Sequence, residues 1–162
     1  MDWGLSPRER YGLPEVKDPF SEDHDKSVIA KIGQDYGILY DALGVCKFPV
    51  YCGFTLEQLA KLYSMATEWK LSDFDMLTLG ERVFNLQRCF NVREGISRKD
   101  DMIPFGLTQP ATTGPAKGVA VFNYESMLND DYELRGWDSN GIPTKIKLDE
   151  LDLRMCVQPH FN

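Results

Sequence analysis

Ser72-Asp73-Phe74-Asp75-Met76-Leu77-Thr78-Leu79-Gly80-Glu81-Arg82-Val83-Phe84-Asn85-Leu86-Gln87-Arg88-Cys89-Phe90-Asn91-Val92 opens with a helix-start signal. A Ser72 hydroxyl can meet free amides of the first turn, and Asp73 and Asp75 suit the positive end of the helix dipole. A helix from about Asp73 to Val92 follows. Its apolar residues Phe74, Leu77, Val83, Phe84, Leu86 and Phe90 wrap much of the circumference, which makes it the most central element expected. A buried helix must pair its charges. Arg82, Asn85 and Arg88 fall at steps of three on one strip and read as an internal polar network, with Glu81, Asp100, Asp101 or helix ends as partners.

Upstream, Val28, Ile29, Ile32, Tyr36, Leu39 and Leu43 recur at helical spacing, predicting a first helix from about Asp23 to Gly44. Gly33 and Gly37 lie one turn apart inside it, where each costs about 1 kcal/mol relative to Ala. Close approach of another helix is the preferred explanation. A cofactor or further domain approaching the backbone is the alternative. Pro49 breaks the chain, and Val50-Tyr51-Cys52 reads as a short extended or irregular passage. Thr55-Leu56-Glu57-Gln58 is a capping box that starts a helix running to about Trp69. Beyond Gly95, Pro and Gly space out a long irregular segment to Asn123. A helix follows over Tyr124 to Leu134, then a turn at Asp138-Ser139-Asn140-Gly141 and a short helix capped by Thr144 and ending near Leu151. The fold class is all-α with long irregular connections. Residues 1–22, rich in Pro, Gly and charge, read as a lead-in or linker, and residues 23–162 as one helical domain.

The 162 residues are 43% hydrophobic and 12% aromatic, enough for a core without disulfides or structural metal. A formal net charge of −7 with no basic cluster argues against a nucleic-acid partner. No signal peptide and no membrane-length apolar run is readable, so the expected location is cytoplasmic, away from the membrane. Cys46, Cys52, Cys89 and Cys156 contain no Cys-x-x-Cys pair, and a self-contained metal site from all four is not expected. His24 and His160 sit in no metal-ligand pattern and read as exposed. Ser/His/Asp catalysis, a P-loop and a dinucleotide fingerprint are absent.

Two groups at the end of the first helix could carry chemistry. Asp41 offers a carboxylate able to accept paired hydrogen bonds from a planar amino heterocycle, and Cys46, five positions on, offers a soft ligand for iron or a thiophilic metal. Read alone, this is equally a helix terminus at Gly44 followed by a buried, inert cysteine.

Three segments together resemble the C-terminal domain of the aldehyde ferredoxin oxidoreductase family, the tungsten- or molybdenum-pterin enzymes. They are Asp41-Ala42-Leu43-Gly44-Val45-Cys46, the run from Gly80-Glu81-Arg82 through Asn85-Leu86-Gln87-Arg88 to Phe90-Asn91-Val92-Arg93-Glu94-Gly95, and Arg135-Gly136-Trp137-Asp138-Ser139-Asn140-Gly141-Ile142-Pro143-Thr144. The resemblance implies that Asp41, Val45 and Lys47 contact the pterin of a bis-pterin cofactor and that Cys46 is one ligand of a [4Fe-4S] cluster. Val45 stands where the family commonly has Leu. Phe105 follows Pro104 where an Arg is usual, so contacts of that loop differ.

The resemblance also implies oxidation of aldehydes to carboxylic acids with ferredoxin as electron acceptor. The family's pterin-covering N-terminal domain and Cys-rich middle domain are not in this sequence, so the remaining domains or a separate subunit are the implied partners. The isolated chain is expected to retain no cofactor and to be inactive. A non-catalytic helical module derived from the same family is the alternative. A surface left bare by missing domains is expected around Tyr40, Val45, Phe48 and Tyr51.

Overall fold

A computed structural model describes Leu5, residues 8–15, Phe20, residues 22–121 and residues 123–156. Among the described residues six α-helices follow in order: α1 His24–Leu43, α2 Phe48–Tyr51, α3 Leu56–Thr67, α4 Asp73–Arg93, α5 Tyr124–Arg135 and α6 Lys145–Glu150, with short 3-10 turns between and around them. Among the described residues there is no strand, only the isolated bridges Ala111 to Lys117 and Trp137 to Pro143. The all-α expectation is met. No helix among them is long and apolar enough to cross a membrane.

Local chemistry sets most helix ends. The Ser72 hydroxyl accepts from the Asp75 amide while the Asp75 carboxylate accepts from the Ser72 amide, closing a capping box at the start of α4. Thr55 and Gln58 do the same for α3, and Thr144 caps α6. At the end of α1, Gly44 adopts φ +66°, and the Gly44 and Val45 amides donate back to the Asp41 and Tyr40 carbonyls. This closes a Schellman turn. Pro49 does not leave an irregular passage as expected: it lies in the first turn of α2, where its missing N–H costs nothing.

α4 packs on α1 and α3, and α1 also packs on α5. The inner strip of α4 is polar, however. Asp73, Met76, Gly80, Asn85, Arg88 and Cys89 are buried, while Phe74, Leu86 and Phe90 are exposed, reversing part of the expected apolar face. The cause is the contact with α1, where a Cβ on Gly80 would stand 2.0 Å from the Asp35 carbonyl oxygen. The close helix approach expected at Gly33 and Gly37 occurs at Gly80 instead. No described atom lies within 4 Å of a Cβ built on either of the other two glycines.

The internal polar network exists around Asn85 and Arg88, while Arg82, expected in it, makes no hydrogen bond or ion pair among the described residues. Arg88 donates bidentately to Asp101 at 2.8 and 2.6 Å and to the Gly141 carbonyl at 2.7 Å, while the Tyr132 hydroxyl donates to the same Asp101 carboxylate. Asn85 accepts from the Trp137 indole N–H at 2.8 Å. Among the described residues Arg135 is the largest fully buried side chain, at 0% exposure, and donates to Asp35, Asp131 and Gln34 with its guanidinium 3.8 Å over the Phe84 ring. The described part of residues 1–22 docks on this framework. Leu5 and Tyr11 join the core of Tyr36, Leu39, Leu56 and Met76, and Arg10 and Tyr11 both bond Asp73. His24 lies within 3.5 Å of Asp130 at an exposed position; His160 falls outside the described residues.

Gly80→Ala is expected to cost about 3 kcal/mol, because backbone must move to admit the methyl. Gly33→Ala, with no described atom in the way, is expected to gain up to about 1 kcal/mol. Urea midpoints of the two variants check the opposition.

Burial opposes ionisation of Asp101, but the Arg88 and Tyr132 bonds outweigh it and hold the carboxyl below its ordinary value. A depressed carboxyl contributes stability that is fully present above its unfolded pKa and is lost as pH falls through the folded one. Asp101→Asn is therefore expected to lose on the order of 3 kcal/mol at neutral pH. That loss, measured by denaturation against pH, should shrink below about pH 4.

Candidate functional site

The last turn of α1, its Schellman turn and α2 form one corner of the molecule. Asp41 faces outward with 69% of its side chain exposed. The Lys47 ammonium lies 3.1 Å from both Asp41 carboxylate oxygens, so the two residues brought together by the turn neutralise each other. An exposed pair of this kind contributes at most about 1 kcal/mol, which leaves the carboxylate free to exchange Lys47 for another donor. Cys46 sits between them in sequence and is an exposed free thiol. Its exposure removes the reading of an inert core cysteine.

Val45 is exposed, and its amide is committed to the Tyr40 carbonyl, so its apolar side chain is what it presents outward. Phe48 and Tyr51 continue the bare surface, with Phe48 75% exposed. Tyr40 does not. At 1% exposure it points the other way, into the core, where its hydroxyl lies 2.8 Å from that of Tyr36. Helical geometry explains this, since Tyr36 and Tyr40 are one turn apart on the face that meets Leu56 and Leu59. Three of the four expected surface residues are exposed and one is core.

Cys52, at the end of α2, is a second exposed thiol on this corner. It lies in none of the motifs singled out above. Cys89 and Cys156, in contrast, are buried together with Leu148, Leu151 and Leu153, and burial with the neighbouring Cys156 pushes the Cys89 thiol up to about 12. A thiol so disfavoured as thiolate is a poor nucleophile and metal ligand. Among the described residues, no group of three or more His, Cys, Asp or Glu is arranged to hold a metal ion.

Behind the corner, Lys47, Val50 and Tyr51 also form one wall of a cleft of about 310 Å³ running along α1 past Gly33 and Gly37. Lys47 thus belongs to both features.

The two other segments singled out in the sequence do different work. The run from Gly80 and the tail from Arg135 lock onto each other: Asn85 holds Trp137, Arg88 holds Gly141, and Arg135 crosses to α1. They build the fold. The Asp41 to Lys47 corner instead presents its carboxylate, thiol and ammonium at the surface.

Comparison with known proteins agrees with this architecture. Residues 1–153 match the family model described as aldehyde ferredoxin oxidoreductase, domains 2 and 3. Tungsten-containing aldehyde ferredoxin oxidoreductases of Pyrococcus furiosus and Pyrococcus abyssi are each 35% identical, over 92% and 94% of this chain. The chain spans only 24% and 25% of those relatives. The active-site complex BamBC of benzoyl coenzyme A reductase, solved in complex with 1,5-dienoyl-CoA, shares the fold with a TM-score of 0.71. It does so over 96% of this chain and 24% of that one, at 22% identity. On the strength of the family match along nearly its whole length, the chain belongs to the aldehyde ferredoxin oxidoreductase family.

Proposed function

We propose that this chain is the cofactor-facing helical part of a larger cytoplasmic oxidoreductase that converts aldehydes to carboxylic acids and delivers the electrons to ferredoxin. The observation that carries the reading is the placement of Asp41 and Cys46, five residues apart and both exposed, on either side of a rigid Schellman turn. A metal bound by pterins, tungsten or molybdenum, together with a [4Fe-4S] cluster would supply the two-electron chemistry.

The residues present fit such groups. Cys46 offers one outward thiol, and a cluster needing further thiolates would draw them from the rest of the enzyme. Asp41 could meet adjacent N–H donors of a pterin with two charge-assisted hydrogen bonds once Lys47 gives way, and Lys47 would offer it a further polar contact. Val45 supplies an apolar edge between them. Gly44 sets the turn between them, because its left-handed backbone ends α1 just before Val45 and Cys46. The relatives' extra length leaves room for the other cofactor walls.

In the complete protein that carries this chain, Cys46→Ser is expected to lose iron and sulfide, because a hydroxyl replaces a soft anionic ligand poorly. Asp41→Asn is expected to spare the cluster and lower pterin and tungsten or molybdenum content, since the amide turns one acceptor into a donor facing donors. Metal, sulfide and pterin analysis beside circular dichroism checks both. An unaltered cluster and full ferredoxin-linked turnover in Cys46→Ser would contradict the assignment.

A further inference from the structure

Cys89 and Cys156 stand far apart in sequence and share one apolar cluster with Leu148, Leu151 and Leu153. They are 6% and 8% exposed, both are free thiols, and their side chains hydrogen-bond each other. Two sulfurs in such contact can close into a disulfide by side-chain rotation. The proposed redox chemistry uses neither of them. Cys89 lies on α4 beside Arg88, and Cys156 ends the 3-10 turn Arg154–Cys156 that follows α6.

The way this turn is anchored gives the pair its significance. Its hydrogen bonds run back along the chain: the Cys156 amide donates to the Leu153 carbonyl, the Leu153 amide to the Leu148 carbonyl, and the Arg154 guanidinium to Asp149. Among the described residues no hydrogen bond joins the turn to α4, so α4 holds it through apolar contact and the thiol pair. An element held in that way opens more readily than helices fixed by Arg88 and Arg135.

We propose that Cys89 and Cys156 are a redox-active pair that a small-molecule disulfide converts into a cross-link, fastening the turn after α6 to α4. While the turn is docked, burial beside Cys156 keeps Cys89 protonated at neutral pH and slow to react. Opening of the turn frees Cys156, whose thiolate attacks one sulfur of the small disulfide, forming a mixed disulfide and releasing one thiol. As the turn closes again, Cys89 loses its proton and attacks the Cys156 sulfur. The cross-link forms and the second thiol leaves. The protein gives up two electrons and two protons, and the small disulfide departs as two thiols. The folded chain favours this link because it holds the two sulfurs together, and closing so long a loop restrains the unfolded chain. The inference is read from the buried pair and stands apart from the assignment of Asp41 and Cys46.

The chain carrying Cys46→Ser and Cys52→Ser, which leaves only this pair, tests it. Circular dichroism first checks that the variant is folded. It is then equilibrated without denaturant across a series of glutathione disulfide to glutathione ratios, quenched with acid and alkylated in urea. Mass spectrometry is expected to find a species lighter by two hydrogens, free of glutathione, whose peptide map joins Cys89 to Cys156 and which dithiothreitol returns to two thiols. The ratio that half-oxidises the pair is expected to be at least about tenfold lower for the folded chain than for the chain kept in urea. Adding Cys156→Ser is expected to abolish the link. The wild-type chain, with Cys46 and Cys52 taking glutathione caps, is expected to show the same link and decides the matter if the variant fails to fold. The inference is overturned if both cysteines stay thiols throughout the series, if glutathione caps accumulate on them in place of the link, or if the half-oxidising ratio is the same with and without urea.

Discussion

Arg135 puts a guanidinium where no solvent reaches it, and helices α1, α4 and α5 take positions that make this tolerable. An isolated charge at that depth would cost many kcal/mol. Asp35 and Gln34 come from α1, Asp131 from the preceding turn of α5, and the Phe84 face from α4, so three helices must be in register before the charge is satisfied. Asp35 reaches that point because Gly80 lets the backbones of α1 and α4 nearly touch. The same contact aligns Lys31 with Asp35 and Glu81, and Lys147 with Glu81. The packing angle is therefore set by paired charges as much as by apolar area.

A second lock joins α4 to the tail. Gly141, at φ +75°, brings its carbonyl to Arg88, and a Cβ there would stand 2.2 Å from the guanidinium. Arg88 also stacks 4.7 Å from the Trp137 ring centroid, and Asn85 receives the indole N–H. These residues are prominent in the sequence because they are polar and clustered, yet they point at one another. With both locks closed, the end of α1 is held firmly while its polar groups face outward, which is the arrangement a cofactor wall needs.

What could be read from the sequence was what local chemistry decides. Ser72 with Asp75, Thr55 with Gln58, Gly44 and Thr144 mark helix ends that depend only on neighbouring residues, and they lie where expected. The pairing of Arg88 with Asp101 was among the anticipated partners because few carboxylates stand near it in sequence. Tertiary geometry decided the rest. Gly80 looked like any helical glycine until Asp35 was seen against it, and Gly33 and Gly37 looked like a helix contact but border a cleft. Tyr40 was expected outside because it adjoins Asp41, although its phase on α1 sends it inward. Val45 was expected outside and is exposed; that Asp41 and Cys46 are exposed too, and that the Lys47 ammonium closes on Asp41, depends on the turn between them.

The central claim is that this corner is a cofactor wall and not simply a capped helix end. A structure of the complete protein that carries this chain, purified without oxygen and holding its cofactors, tests it most directly. The account predicts iron bonded to the Cys46 sulfur and the Asp41 carboxylate turned from Lys47 toward pterin N–H groups. A loaded enzyme in which Cys46 meets only protein or solvent, with all cluster ligands drawn from elsewhere and the Asp41 to Lys47 pair unchanged, would contradict it.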